Sequence, residues 1–130
     1  MKILVVEDCP TTRALLGIYL RSSGYDVFFA ENGLEALERL AADRPDLIMT
    51  DLNMPYMDGI ELTRSLKSDP AWACIPVIVV TTERDDEERE RALTAGAEGY
   101  IVKPFTSDVV SEHIRQIMSD RFAPGGGASG

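Results

Sequence analysis

The sequence predicts an α/β fold in which one parallel sheet is covered by helices on both of its faces. Five short apolar segments recur along the 130-residue chain, as expected of strands that are buried on both sides. A segment with helical periodicity follows each of these five segments. Because strands that alternate with helices pair in parallel, a single sheet with right-handed crossovers accounts for the whole pattern.

The strands are predicted from continuous apolar runs, most of which contain β-branched residues. They cover residues 2–6, 25–30, 47–49, 77–80 and 99–102. The helices are predicted to begin near residues 10, 34, 60, 84 and 107, most of them at Pro, Gly or Ser residues that favour helix starts and turns.

Three helices carry apolar residues at a spacing that predicts which face is buried. In the last helix these residues are Val110, Ile114 and Ile117. The expected buried residues are Ala14, Leu15, Ile18 and Tyr19 in the first helix, and Leu34, Leu37, Leu40 and Ala41 in the second. The fourth helix, residues 84–96, differs because it offers little apolar surface beyond Ala92, Leu93 and Ala95. A helix that buries so little is held weakly by its neighbours, so it should shift at low cost.

The length of the chain fits a single domain with one substantial core. We expect this domain to cover residues 1–120. Residues 121–130, RFAPGGGASG, are expected to form a flexible Gly-rich tail or linker.

The net charge of −9 limits the classes of partner. A domain that grips a nucleic-acid backbone needs a positive surface, so we expect no direct nucleic-acid binding. No apolar run approaches the roughly 20 residues of a membrane span, and Glu-Asp follows the N-terminal apolar run, which is too short for a signal sequence. We therefore expect a cytoplasmic protein without membrane contact.

Four of the five strands are followed by polar side chains that can do chemistry. Glu7 and Asp8 follow the first strand, Asp51 the third, Thr81 the fourth and Lys103 the fifth. In a parallel sheet these ends lie at one edge, where α/β proteins bind their ligands. The side chains converge if strands 1 and 3 are neighbours, so we predict the flavodoxin-like strand order 2-1-3-4-5.

Three carboxylates at one edge repel one another and need positive charge nearby. Lys103 supplies one positive charge. Oxygen ligands without His or Cys favour a hard divalent cation, which we predict to be Mg²⁺ with Mn²⁺ as an alternative. An Asp beside such an ion and a Lys is typical of a phosphoryl acceptor that forms an aspartyl-phosphate.

Four segments of the chain resemble the receiver domain of bacterial two-component response regulators, the CheY-like family. They are VVEDCPTTR, MTDLNMPYMDG, VIVVTTE and GYIVKPF, and the likeness extends from residue 2 to about residue 120. The resemblance implies that the chain accepts a phosphoryl group from a phosphohistidine of a sensor kinase or phosphotransfer protein. It implies that the chain then changes conformation to regulate a partner or output domain. It also implies that the chain is not an enzyme beyond its own autophosphorylation and autodephosphorylation.

The same resemblance gives roles to individual residues. Asp51 would be the phosphoacceptor, and Lys103 would pair first with Asp51 and then with the phosphoryl group. Asp8 and Asp51 would bind Mg²⁺ directly, together with the main-chain carbonyl of Asn53. Glu7 would act through a coordinated water.

Two further residues would form a switch according to this resemblance. Thr81 would supply a hydroxyl to the phosphoryl group, and Tyr100 would be the aromatic ring that moves with it. The Lys103–Pro104 peptide bond would be cis. The output surface would combine the fourth helix, the fifth strand and the fifth helix, and the chain would be a monomer or a weak, phosphorylation-dependent dimer.

Two other classes of protein remain open at this point. A phosphatase of the haloacid-dehalogenase type, which works through an aspartyl-phosphate, needs an Asp two residues after the nucleophile, where this chain has Asn53. A flavodoxin-like FMN-binding module needs hydroxyls and glycines after strand 1, where this chain has Glu7 and Asp8. A visible flavin band or steady hydrolysis of p-nitrophenyl phosphate would identify one or the other.

Overall fold

A computed structural model describes residues 1–82 and 85–122 of the chain, with side chains described through residue 119. Strands and helices alternate through these ranges, as the sequence predicts. In chain order they are β1 (Lys2–Val6), α1 (Pro10–Ser22), β2 (Asp26–Ala30), α2 (Gly33–Ala42), β3 (Leu47–Asp51), α3 (Gly59–Lys67), β4 (Val77–Thr81), α4 (Asp86–Ala95), β5 (Gly99–Val102) and α5 (Ser107–Phe122).

The strands form one parallel sheet in the order β2-β1-β3-β4-β5, which confirms the predicted topology. The register brings the ends of neighbouring strands level with one another. Val6 lies opposite Thr50, Asp51 lies opposite Val80, and Thr81 lies opposite Val102. The residues at these ends therefore meet along a single edge of the sheet.

Both faces of the sheet are buried, because successive side chains of a strand point to opposite faces. Ile3 and Val5 of β1 belong to a core cluster that also contains residues of α1 and α5. Leu4 and Val6 belong to a second cluster, which contains residues of α2 and α3. Helices therefore cover both faces of the sheet.

The prediction for the buried face of α1 is wrong, because the buried positions lie one or two residues further along the helix than predicted. Leu16, Gly17 and Leu20 are buried, whereas Leu15 is 38% exposed and Ile18 is 60% exposed. Apolar residues fill almost every position from 14 to 20, so their spacing does not determine the face.

Small residues decide how the first two helices pack on the sheet. A Cβ added to Gly17 would lie 2.9 Å from Cζ of Phe29, so α1 approaches β2 through its glycine. In α2, Gly33 and Ala36 are buried beside Leu40, while the predicted core residue Leu34 is 48% exposed. In α1 the close approach is to β2, and in α2 a Cβ added to Gly33 would lie 2.6 Å from Cγ of Met57 in the loop after β3. These close approaches override the spacing of the large apolar residues.

Helix α4 buries little apolar surface, as predicted. Within this fully described helix Ala92 is buried, and Leu93 is 37% exposed. The helix ends before Gly96, whose φ of 114° lies in the left-handed region that favours glycine. Arg84, at the start of the predicted helix, lies outside the described residues.

Helix α5 extends to Phe122, so the first two residues of the predicted tail belong to the helix. Residues 123–130 lie outside the described part of the chain, and the flexible tail there stays a prediction. Among the described residues, none of the helices has the combination of length and apolar character that crossing a membrane requires.

Candidate functional site

Three carboxylates meet at the carboxyl edge of the sheet, as the sequence predicts. They belong to Glu7, Asp8 and Asp51, and we call them the acidic cluster. One oxygen from each lies within 4.8 Å of the others. Glu7 is buried, Asp51 is half-buried and Asp8 is exposed, so the cluster opens to solvent on the side of Asp8.

The loop after β3 holds Asp51 in place by folding back tightly on the strand. The main-chain N–H of Gly59 donates to the carbonyl of Leu52 at 2.8 Å. A Cβ at position 59 would lie 2.2 Å from the carbonyl oxygen of Asp51, so only glycine fits there. The Asp51 carboxylate itself accepts a hydrogen bond from the main-chain N–H of Leu52 at 2.8 Å.

Lys103 reaches the acidic cluster from the end of β5. Its Nζ donates to Oε1 of Glu7 at 2.7 Å and lies 3.6 Å from Oδ1 of Asp51. The ion pair with Asp51 that the family resemblance implies is therefore present, and a shorter hydrogen bond goes to Glu7. Lys103 therefore forms ion pairs with the carboxylates of both Glu7 and Asp51.

Burial and the neighbouring charges shift the pKa values of Glu7 and Lys103. Burial raises the pKa of Glu7 to about 6; the hydrogen bond from Lys103 opposes this rise and the charge of Asp51 adds to it. Burial alone would lower the pKa of Lys103, but the hydrogen bond to Glu7 and the charge of Asp51 raise it overall. Lys103 is therefore protonated at neutral pH, next to a carboxyl that takes up a proton more readily than usual.

The donor set of the acidic cluster fits a hard divalent cation. It offers oxygen atoms only, as Mg²⁺ prefers. In the described part of the chain, this is the one group of three or more carboxylate, imidazole or thiol side chains close enough to share a metal ion. Asn53 is exposed in the loop that follows Asp51, and its predicted role as a main-chain ligand stays a prediction.

The two predicted switch residues lie on neighbouring strands. Thr81 is fully buried at the end of β4. Tyr100 is half-buried on β5 and packs against an apolar cluster that includes Ala92 of α4. The Lys103–Pro104 peptide bond is cis, which confirms that prediction. The switch roles of Thr81 and Tyr100 stay predictions.

One residue beside the site was not found from the sequence. Nη1 of Arg13 donates to the main-chain carbonyl of Glu7 at 2.9 Å and lies 3.7 Å from Oε1 of Glu31. Arg13 is six residues after Glu7, near the start of α1. The sequence could have indicated the contact only through this closeness of a long basic side chain to the end of β1.

The fold and the site together define a phosphoacceptor domain of the kind used in two-component signalling. The family model of the response regulator receiver domain matches residues 3–115, and the chain belongs to this family. The chain is 42% identical to the chemotaxis protein CheY1 of Helicobacter pylori over 120 residues, which are 91% of this chain and 97% of CheY1.

Solved structures of receiver domains agree with the whole architecture. The chain is similar to the signal receiver domain of a signal transduction histidine kinase from Syntrophus aciditrophicus, with a TM-score of 0.86, 39% identity, and coverage of 94% of this chain and 92% of that one. It is also similar to the receiver domain of the sensor histidine kinase PA1611 from Pseudomonas aeruginosa, with a TM-score of 0.81, 30% identity, and coverage of 88% and 94%. That protein holds a magnesium ion in its active-site cleft.

These similarities confirm the predicted fold class and the predicted class of protein. They favour a receiver domain over the phosphatase and the FMN-binding module.

Proposed function

We propose that this receiver domain accepts a phosphoryl group on Asp51 from the phosphohistidine of a sensor kinase or a phosphotransfer protein. The observation that carries the proposal is the position of the Lys103 ammonium between two carboxylates at the edge of the sheet. It lies 2.7 Å from Glu7 and 3.6 Å from Asp51. A fixed positive charge next to the nucleophile stabilises the charge on the oxygens of a transferring phosphoryl group.

In the proposed reaction a carboxylate oxygen of Asp51 attacks the phosphorus atom. The phosphorus–nitrogen bond of the phosphohistidine breaks, and the imidazole leaves with the bonding electron pair. The product is an acyl phosphate on Asp51. Lys103, already beside Asp51, then pairs with the phosphoryl oxygens, and Thr81 donates its hydroxyl to one of them.

The proposed metal ligands are Asp8 and Asp51, the main-chain carbonyl of Asn53, and Glu7 through a water. Bound Mg²⁺, or Mn²⁺ in its place, would neutralise negative charge on the carboxylates and on the incoming phosphoryl group. The oxygen-only donor set of the acidic cluster supports this assignment.

The proposed output follows from contacts around α4. Tyr100 packs on the cluster that contains Ala92, so a shift of Thr81 and Tyr100 would be felt by a helix that is weakly held. We therefore assign regulation of a partner or output domain to the surface formed by α4, β5 and α5. In this proposal the chain acts in the cytoplasm as a monomer or weak phosphorylation-dependent dimer, and it catalyses only its own phosphorylation and dephosphorylation.

The test is phosphorylation by acetyl phosphate with Mg²⁺, followed by the mass of the intact protein. One added phosphate is expected in the wild type and none in Asp51→Asn. Asp46→Asn is the matched control, because Asp46 precedes the opposite end of the same strand and accepts a hydrogen bond from the main chain of Lys2. A phosphate that persists in Asp51→Asn would overturn the assignment.

A further inference from the structure

Arg13 holds the main chain of the acidic cluster from outside the cluster itself. Its Nη1 donates to the carbonyl oxygen of Glu7 at 2.9 Å. The main-chain N–H of Arg13 donates to the carbonyl of Cys9 at 2.9 Å, so Arg13 lies at the start of α1 and reaches back over it. The side chain is 22% exposed, so most of it is packed in place.

The hydrogen bond from Arg13 acts where the regular pairing of β1 ends. The N–H of Glu7 still donates to the carbonyl of Ala30 at 2.9 Å, one residue beyond the last residue of β1. The carbonyl of Glu7 points instead to Arg13. Because a peptide unit is planar, fixing this carbonyl also fixes the N–H and the Cα of Asp8.

Arg13 is also joined to the neighbouring loop. Its Nη1 lies 3.7 Å from Oε1 of Glu31, which is 62% exposed and follows β2. An exposed pair of this kind contributes little energy, so its effect is to limit the positions of the guanidinium. The carboxylate of Glu7 has its own donors, the Nζ of Lys103 at 2.7 Å and the N–H of Cys9 at 3.2 Å.

We infer that Arg13 is a positioning residue for the metal site, which sets the direction of Asp8 by holding the Glu7–Asp8 peptide. Asp8 is the exposed member of the acidic cluster, so its side chain has the least packing to orient it. The inference rests on the proposed function, because it concerns the cation that phosphorylation requires. Hydrogen-bond partners that orient metal ligands influence affinity strongly without touching the metal.

The first test is calorimetric titration of the full chain with Mg²⁺. Arg13→Met removes the donor and keeps an unbranched side chain as far as the position of Nε, and we expect about ten-fold weaker Mg²⁺ binding. Arg21→Met is the matched control, because it removes the same charge from the same helix while Arg21 stacks on Phe29 at 5.4 Å. Removing a positive charge by itself should favour cation binding. Equal losses in the two variants would therefore mean that the contact of Arg13 with Glu7 is not the cause, and unchanged binding in Arg13→Met would also overturn the inference.

The second test needs neither metal nor activity. The hydrogen bond to the Glu7 carbonyl polarises the peptide whose nitrogen belongs to Asp8, so the amide ¹⁵N resonance of Asp8 should shift in metal-free Arg13→Met. Arg21→Met should leave the amide resonance of Asp8 at its wild-type position. An Asp8 resonance that is identical in wild type and Arg13→Met would refute the hydrogen bond as the cause.

Arg13→Lys covers the case in which Arg13→Met does not fold. A lysine keeps a charged donor that reaches slightly less far than the guanidinium does, so the Mg²⁺ affinity of Arg13→Lys should lie between those of the wild type and Arg13→Met. Its Asp8 resonance and its affinity must change together, and a change in one alone would contradict the inference. Wild-type protein that takes up no phosphate would refute the proposed function, whereas the Mg²⁺ affinities would still decide the role of Arg13.

Discussion

Repulsion between the three carboxylates of the acidic cluster should lower the free energy of unfolding of the metal-free protein. Asp8→Asn removes one of three like charges while keeping the size of the side chain. Two unit charges 4.8 Å apart, the limit set by the cluster, repel by about 0.9 kcal/mol in water and by about 3.5 kcal/mol at an effective dielectric constant of 20.

The position of Asp8 decides which of these limits applies. Asp8 is exposed, so the value for water is the appropriate one for each of its two neighbours in the cluster. The ammonium of Lys103 offsets part of the repulsion, since it lies 2.7 Å from Glu7 and 3.6 Å from Asp51. A gain of about 1 kcal/mol in the free energy of unfolding remains, which raises the Tm of a domain of this size by about 4 °C.

The assay is thermal unfolding in EDTA at low ionic strength, repeated with saturating Mg²⁺. Asp8→Asn should melt higher than the wild type in EDTA and should gain less from Mg²⁺ than the wild type does. Asp69→Asn is the control for net charge, because Asp69 is exposed beyond the end of α3 and far from the cluster in sequence. A lower Tm in both Asp8→Asn and Asp51→Asn would refute the reasoning and make the cluster a structural element.

Three further predictions concern the switch and two residues that have a positive φ. Beryllofluoride, which mimics the phosphoryl group, should perturb amide resonances from about residue 82 to residue 100, and Thr81→Ala should reduce that response; shifts confined to the loops of the acidic cluster would rule out this route. Tyr56→Asn should stabilise the protein by about 1 kcal/mol in urea unfolding, because Tyr56 is 82% exposed and has a φ of 69°. Gly24→Ala should destabilise the protein, since Gly24 has a φ of 91° and the open space around it excludes a steric clash as the cause. Equal stability of Tyr56→Asn and the wild type would mean that the positive φ of Tyr56 costs no free energy.

The sequence predicted the site well because topology alone brings its parts together. Parallel strands end at one edge, so a polar residue directly after each strand is placed there without any knowledge of side-chain packing. Glu7, Asp8 and Asp51 meet at that edge in the structure, and Lys103 joins them. The strand order was predicted from the same chemistry, since it required β1 beside β3.

Contacts that depend on packing were not predicted. The buried face of α1 could not be predicted because residues 14–20 place apolar side chains on all sides of the helix. The small Gly17 determines where α1 contacts β2. The bond from Arg13 to the carbonyl of Glu7 has no signature in residue spacing, because a main-chain acceptor is present at every position. Side-chain direction and burial decide such contacts, and neither can be read from periodicity.

Burial also explains why the shorter of the two contacts of Lys103 is with Glu7 and the longer one with Asp51. The side chain of Glu7 is 2% exposed and that of Asp51 is 11% exposed, so an unpaired charge on Glu7 would be the more costly of the two. The ammonium of Lys103 therefore lies closest to the carboxylate that is less exposed to solvent, which is that of Glu7. Asp51 keeps a positive charge at 3.6 Å without a short hydrogen bond to it. If Asp51 accepts the phosphoryl group as proposed, this arrangement would stabilise the cluster before the transfer and would leave the ammonium within reach of the phosphoryl oxygens.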